Sequence, residues 1–325
     1  MGKECKICVV IVTYNRKEYL IKLLEGLRQQ SRHIDAILIF DNYSNDGTGS
    51  LLVKHKYTEG ETAGKLYIKE EENYKYYYFK NECNCGGSGG FYQAIKLAIN
   101  FDYDFLWCMD DDVYPDSNCL NELLKHMSSA NRICIPTRQD QNYTDYAITK
   151  VDMSNPFKYS IVSRKTMMKN DRIGLDAIHV VDMPFEGPLI AVDLIEQIGL
   201  PKSDFFIIFD DSEYAARANQ YTDILYCKNA ILHKQIIPVS SHTKLMNWKN
   251  YYGYRNQIWF DRHYANNIFV KIVRPRLLLL DLVLRALIQG KWSNLKIITA
   301  AYSDGMHNRL GKLVEPGVTA EKFRR

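Results

Sequence analysis

The chain has 325 residues, 46% of them hydrophobic and 25% charged, with a formal net charge of +4. That is an ordinary globular composition, long enough for one large domain or for a domain with an appendage. The charge is too small to imply nucleic acid on its own, and no nucleic-acid partner is expected; an anionic ligand or a weak membrane contact stays open.

Residues 1–6 lack the n-region, h-region and cleavage site of a leader and run straight into a strand. The chain therefore reads as cytoplasmic, with its eight cysteines as reduced thiols. Cys5-x-x-Cys8 has a zinc-like spacing. Positions three apart on a strand face opposite sides, however, and no second pair has finger-like spacing, so structural zinc is not expected.

"ICVVIVTYN" is a continuous β-branched run, as in a strand buried on both faces. In "RKEYLIKLLEGLRQQ", Tyr19, Leu20, Leu23, Leu24 and Leu27 recur at helical spacing. "DAILIFDNYSNDGT" repeats the strand and turn, and "SLLVKHK" starts a helix. "GGFYQAIKLAIN" is a helix entered through glycines, "YDFLWCMDDD" a strand, and "DSNCLNELLKHM" a helix with Asp116 or Ser117 as N-cap. Residues 135–185 read as shorter strands and loops. "GPLIAVDLIEQIGLP" reads as strand and helix, "DFFIIFDDSEYAARAN" as a strand running into a helix, and "DILYCKNAILHK" as a strand. From about residue 240 the chain becomes aromatic and basic, then strongly apolar.

Alternating strands and helices predict an α/β domain with a mostly parallel sheet. Ligands then bind at the carboxyl ends of the strands. The polar clusters "TYNR", "DNYSND" and "DDD" lie at those ends. Asp110, Asp111 and Asp112 end an apolar run, and adjacent carboxylates repel unless something positive joins them. Asp110 and Asp112 are alternate residues and can face the same way, which suits Mg²⁺ or Mn²⁺ bridging a diphosphate. A solvated acidic turn is the alternative.

Thr13, Tyr14, Asn15, Arg16, Asp41, Asn42, Ser44 and Asp46 offer hydroxyl, amide, guanidinium and carboxylate groups to a base or ribose; each alone also reads as turn chemistry. "NCGGSGG" (84–90) opens a helix, so Gly86, Gly87 and Gly89 could let a phosphate approach; a tight turn is the alternative, and neither a dinucleotide fingerprint nor a P-loop is present. Asp210 and Asp211 form a second acidic pair suited to deprotonating a hydroxyl, with Glu213 and Arg217 spaced as an i,i+4 ion pair. His233 ends the strand after that pair, as a metal ligand or as a structural histidine. Tyr77, Tyr78, Phe91 and Trp107 lie near these motifs as sugar contacts or as core.

In order and spacing, "VTYNR", "DNYSNDGT", "NCGGSGGF", "MDDDVYP", "IGLPKSDFFIIFDDSEYAAR" and "LH" together resemble family-2 inverting glycosyltransferases of the GT-A fold, over roughly residues 6–235. The nearest look is to bacterial galactofuranosyltransferases and related rhamnosyltransferases. The resemblance implies that Asp41 meets the uridine end of the donor and that Asp110 and Asp112 hold the metal through a DxD element, with His233 completing its shell. It implies Asp211 as general base and Asp210 and Glu213 as acceptor-positioning groups. Asp111 joins the donor-binding set. Galactofuranosyltransferases often carry Trp before the acidic pair; here Phe209 keeps the stacking surface without its N–H, which leaves the donor or acceptor open.

The implied reaction is a single inverting displacement, from UDP-galactofuranose or dTDP-rhamnose to a hydroxyl of a glycan or lipid-linked glycan. The rivals are a nucleotide-sugar pyrophosphorylase, which would want a glycine-rich loop where "TYNR" stands, and a non-catalytic binding module, which would need neither the second acidic pair nor His233. The expected division is a catalytic domain over residues 1–238 and a mostly helical region over 239–325. In that region "YYGYRN" makes Arg255 a candidate contact to acceptor or diphosphate. Leu277, Leu280, Leu284, Leu287 and Ile288 form one helical stripe, too short and too charged to span a bilayer. That stripe reads either as an interfacial helix at the inner face of the membrane or as a face packed on the domain or in a homo-oligomer.

Overall fold

Strand β1 (Ile7–Thr13) leads into helix α1 (Lys17–Arg28), β2 (Ala36–Asp41) into α2 (Thr48–Lys54), and β3 (Leu66–Glu70) and β4 (Lys75–Lys80) into α3 (Gly86–Ala98). There follow β5 (Phe105–Asp110), β6 (Val113–Pro115), α4 (Cys119–Leu124), β7 (Ile133–Asp140), β8 (Tyr143–Thr144) and β9 (Tyr146–Val151). Next come α5 (Ile161–Arg164), β10 (Lys165–Lys169), β11 (Ala177–Val180), β12 (Leu189–Ala191), α6 (Val192–Ile198), α7 (Asp210–Ala218) and β13 (Ile224–Lys234). Helices α8 (Trp248–Tyr264), α9 (Ile268–Ile288) and α10 (Asn294–Met306) complete the order. The computed structural model describes residues 5–71, 74–140, 143–236 and 245–324. The expected domain boundary at 238/239 lies outside the described residues.

The main sheet runs β11-β13-β7-β12-β5-β1-β2-β4-β3, with β6 on β13 and β8 on β7, and β9 and β10 form a separate ribbon. Strands β5, β1, β2 and β4 are mutually parallel. The far half is mixed: β12 runs antiparallel to both β5 and β7, while β7 and β13 are parallel. The sheet is thus parallel at its centre, as expected, and mixed towards β11.

Both faces are covered, which is why the central strands read as unbroken apolar runs. On β1, Cys8, Val10 and Val12 pack with Phe91, Ala94 and Ile95 of α3. Ile7, Val9 and Ile11 face the other way, onto Leu20, Leu23, Leu24 and Leu27 of α1. Parallel strands with helical crossovers deliver Thr13, Asp41 and Asp110 to one edge, since Thr13 pairs with Asp41 and Val12 with Asp110.

Helix α8 has apolar and polar residues buried around much of its circumference, including Tyr251, Tyr252, Arg255, Asn256, Trp259 and Asp261. A helix buried in this way sits between layers rather than on a surface. Helix α9 turns Leu278, Leu282 and Ala286 inward and leaves Leu280, Leu284 and Ile288 exposed. The expected stripe of Leu277, Leu280, Leu284, Leu287 and Ile288 is the half-buried to exposed face, and Leu278, Leu282 and Ala286 form a separate packed face. No described helix is long and apolar enough to cross a membrane.

Two local expectations fail. The segment before Asp210 is not a strand: a short 3-10 turn over Ser203–Phe205 is followed by Phe206, Ile208 and Phe209 with φ of 66°, 68° and 76°. Helix α4 starts at Cys119 behind Asn118, and Asp116 turns instead to His233.

Candidate active site

The strand-end motifs meet in a cleft of about 430 Å³. Thr13, Tyr14 and Arg16 come from the β1 end, Asn42 from β2, Gly86 and Gly87 from the start of α3, and Asp110 and Asp111 from β5. Opposite them stand Glu186, Asp210 and Asp211. Trp248 and Lys249 at the start of α8 add a wall. Phe91 is the one member of the aromatic set Tyr77, Tyr78, Phe91 and Trp107 that lines it. Trp107 is core, its indole N–H donating to Gly187 O at 2.9 Å.

Asp111 ties the β1 and β5 ends together. Its Oδ2 accepts from Thr13 Oγ1 at 2.8 Å and Tyr14 N at 3.1 Å, and its Oδ1 from Arg16 Nη1 at 2.9 Å. The same Arg16 nitrogen lies 3.0 Å from Asp112 Oδ2. Burial opposes the charge on Arg16, and Asp111 and Asp112 more than offset it. Asn15, at φ 54°, joins the first two loops outside the cleft: its N–H donates to Ser44 Oγ at 3.0 Å, and its Oδ1 accepts from Asn45 N at 2.8 Å.

Several expected contacts are corrected. Asp41 is fully buried, its carboxylate accepting from Ser44 N at 2.7 Å and Tyr78 Oη at 2.9 Å. It holds the β2 turn and does not reach the cleft. Asn42 donates to Gly86 O at 2.9 Å and accepts from Cys85 N at 3.1 Å, which anchors the glycine helix. Gly86, at φ +77°, lies so close to Phe206 that an added Cβ would fall 2.1 Å from its carbonyl oxygen. Gly87 has open space, whereas Gly89 packs on Cys85, 2.8 Å from where its Cβ would be, and takes no part in the cleft.

His233, expected in the metal shell, is paired with Asp116 instead of facing Asp110 and Asp112 in this structure. Successive strand residues face opposite sides. Lys234 turns to Glu186 at 2.7 Å, while His233 Nε2 meets Asp116 Oδ1 at 2.7 Å with its ring stacked on Tyr114. Glu213 leaves the acceptor set: buried, it accepts from Arg217 Nε at 3.0 Å and Tyr264 Oη at 2.6 Å. Arg255 is fully buried and donates to the carbonyl oxygens of Gly311 at 2.7 Å and Phe205 at 2.8 Å. Its guanidinium is bound to backbone, so it has no free face for an acceptor.

Glu186 is the group that sequence reasoning missed. It lies in the irregular stretch before β12 and accepts from Arg138 Nη1 at 2.9 Å and Lys234 Nζ at 2.7 Å. The cations beside it pull its carboxyl below the ordinary value despite burial. The only sequence signal was an acid next to Gly187, at the edge of a strand.

Asp110 carries the opposite burden. Burial, then Glu186, Asp112 and Asp111, raise its carboxyl well above the ordinary range. Asp112 Oδ1 is buried with no hydrogen-bond partner. Unmet oxygen at Asp112 and repelled charge at Asp110 fit a hard divalent cation. Among the described residues no three His, Cys, Asp or Glu side chains form an all-protein metal site. Two carboxylates, with the remaining positions left to phosphate and water, match how Mg²⁺ is usually held.

The second acidic pair starts α7. Burial raises Asp210 to about 6. Burial and the negative charges of Asp210 and Asp182 raise Asp211 to about 8, against the Ser212 N–H that donates to its Oδ1 at 2.7 Å. The left-handed turn ahead of the pair is clamped from α8: the Asn256 amide donates to the carbonyl oxygens of Phe205, Ile207 and Ile208 at 3.1, 2.9 and 2.8 Å.

Comparison with known proteins finds relatives in sequence and in fold. The family model for Glycosyl transferase family 2 matches residues 8–182, more than half of the chain. The galactofuranosyltransferase GlfT1 of Mycolicibacterium smegmatis is 23% identical over 219 residues, covering 65% of this chain and 64% of that protein. The chain thus spans just under two thirds of that relative's length. The abequosyltransferase RfbV of Salmonella typhimurium is 33% identical over 113 residues, covering 34% of this chain and 30% of that protein. Among solved structures, the mannosyltransferase PcManGT from Pyrobaculum calidifontis, in complex with GDP-Man and Mn²⁺, aligns with TM-score 0.55 at 11% identity over 95% of this chain and 89% of that one. GalNAc-T7 with UDP, GalNAc and Mn²⁺ aligns with TM-score 0.55 at 14% identity over 80% of this chain and 48% of that one. A sheet that gathers hydroxyl, amide and paired carboxylate groups at one edge, matched by this family model over residues 8–182, makes the chain a member of Glycosyl transferase family 2, with the GT-A fold.

Proposed function

We propose that the chain is a metal-dependent, inverting glycosyltransferase that moves galactofuranose from UDP-galactofuranose onto a hydroxyl of a cell-surface glycan or a lipid-linked glycan. One observation carries this reading: the carboxylates of Asp110 and Asp211 line a single cleft, one on the DDD strand end and one at the start of α7. An inverting displacement needs that separation of roles, a charge-stabilised leaving group on one side and a base on the other.

A divalent cation held by Asp110 and Asp112 would offset the charge that develops on the departing nucleoside diphosphate. Arg16, fixed by Asp111 and Asp112, adds a positive group on the same side. The loop of Thr13 and Tyr14 and the glycines Gly86 and Gly87 shape the donor wall. Asp211 takes the proton of the attacking hydroxyl; its raised pKa matches a base working near neutral pH. Asp210, beside it, positions the acceptor. No protein nucleophile is required.

Abequosyltransferase similarity keeps a deoxyhexose donor such as dTDP-rhamnose as the second reading. Slow UDP release from UDP-galactofuranose is expected with Mn²⁺, lost in EDTA and in Asp112→Ala. Asp211→Asn should lose transfer and keep UDP binding. Turnover that persists in EDTA, or UDP binding lost in Asp211→Asn, would overturn the assignment of roles. A panel of nucleotide sugars decides the donor.

A further inference from the structure

Two more cavities lie behind Asp211. The smaller, about 170 Å³, is lined by Asp211 together with Arg138, Asp145, Lys165, Asp182 and Ser212. The larger, about 340 Å³, shares Lys165, Asp182 and Ser212 with it. Asp211 in turn lines the donor cleft. Asp211 is thus a shared wall of the donor cleft and the smaller cavity, and Lys165, Asp182 and Ser212 are shared walls of the smaller cavity and a third chamber. The walls of that chamber are Phe209, Phe260 and Tyr264.

The charge of the larger chamber is unbalanced. Arg164 lines it and is 3% exposed. Its Nη1 meets Asp261 Oδ1 at 2.5 Å, and Arg274 Nη1 meets the same oxygen at 3.1 Å. Two guanidinium groups thus share one carboxylate. Arg164 Nη2 is buried without any hydrogen-bond partner. Lys165 is matched by Asp182 at 2.6 Å, and exposed Lys150 adds a further positive charge at the lining. A buried guanidinium N–H left unpaired costs at least about 1–3 kcal/mol, so a protein that keeps one gains when an acceptor oxygen arrives. Carboxylate and phosphate are the groups whose geometry suits it.

We propose that the larger chamber is an anion-recognising acceptor subsite: it takes a carboxylate or phosphate group attached to a ring, while the smaller cavity holds the sugar whose hydroxyl faces Asp211. The aromatic walls cover the ring, and Arg164 and Lys150 meet the anion. This rests on the reading of Asp211 as the base of a glycosyl transfer.

The test is binding of phenyl phosphate and benzoate, with benzyl alcohol as the neutral control, to the full chain with the donor cleft filled by UDP and Mn²⁺. At least one anion is expected to bind about tenfold or more tighter than benzyl alcohol, which corresponds to about 1.4 kcal/mol. Preference for phenyl phosphate assigns a phosphorylated acceptor, and preference for benzoate a uronic-type acid. Arg164→Met leaves Asp261 paired with Arg274; it and Lys150→Ala should each weaken the anion, with UDP binding unchanged. Lys150→Ala decides the question alone if Arg164→Met does not fold. Equal affinity for anion and alcohol, or anion binding that neither variant moves, overturns the proposal. Loss of UDP binding by the native chain would instead sink the donor reading.

Discussion

Asn256→Ala tests how the acidic pair is held. The Asn256 side chain is fully buried, and its amide serves the carbonyl oxygens of Phe205, Ile207 and Ile208. The amide has only two N–H groups, so these contacts are partly shared. Phe205 O keeps Arg255, so truncation leaves two carbonyls, those of Ile207 and Ile208, without the amide, at about 1–3 kcal/mol each, or about 4 kcal/mol in all. The turn it holds contains Phe206, Ile208 and Phe209 at positive φ. Each such non-glycine residue stores about 1–3 kcal/mol that the surroundings must over-determine. The restraint removed is thus comparable with the strain released, and the turn should relax, moving Asp210 and Asp211. The expected outcome is a thermal midpoint lower by about 8 °C, at about 2 °C per kcal/mol for a chain of this size. UDP release from UDP-galactofuranose should fall by more than the stability loss explains, with UDP binding retained. The assay compares midpoint, UDP affinity and release on the same preparation. Native release rates in a folded Asn256→Ala variant would refute the reasoning.

The pH dependence follows from Asp211. Its raised pKa of about 8 means that kcat/KM should climb with pH through the neutral range, a limb absent in Asp211→Asn. The stability sign is opposite: between the ordinary 3.8 and about 8 the folded chain holds a proton that the unfolded chain has lost, so stability falls as pH rises. Asp211→Asn should therefore melt higher than the native chain near neutral pH, and a lower midpoint would contradict this. His233→Ala should leave the Mn²⁺ dependence of UDP release unchanged; a tenfold higher Mn²⁺ requirement, or about 1.4 kcal/mol, would return the histidine to the metal shell. The exposed face of α9 carries Leu280, Leu284 and Ile288 beside Arg276 and Arg285. Co-sedimentation with anionic vesicles should drop in Leu284→Glu/Ile288→Glu, by at least about tenfold if each side chain buries about 1.5 kcal/mol or more of apolar contact. Unchanged co-sedimentation would mean that this face serves a protein contact.

What the chain's order of residues settled by itself is the set of strands and the edge they point to. A strand covered on both faces must be apolar at every position, so "ICVVIVT", "AILIF" and "FLWCM" announce themselves, and the polar residues that follow them have to lie at a sheet edge. Asp110 and Asp111 come to the cleft in that way, whereas Asp211 reaches it from a left-handed turn where the sequence pattern suggested a strand. Tertiary structure alone decided which polar groups remain free. Asp41, Glu213 and Arg255 carry the right chemistry, yet each is saturated by partners distant in sequence or fixed by the local turn: Tyr78, Tyr264 and Phe205 have no periodic relation to them. The pairing of His233 with Asp116 was not legible because strand pleat sets which face a residue takes, and the choice between His233 and Lys234 depends on what β6 and Glu186 put on each side. Glu186 and the α8 clamp on the acidic pair were invisible for the same physical reason. Hydrogen-bond satisfaction is a property of packed neighbours, and no local pattern encodes it.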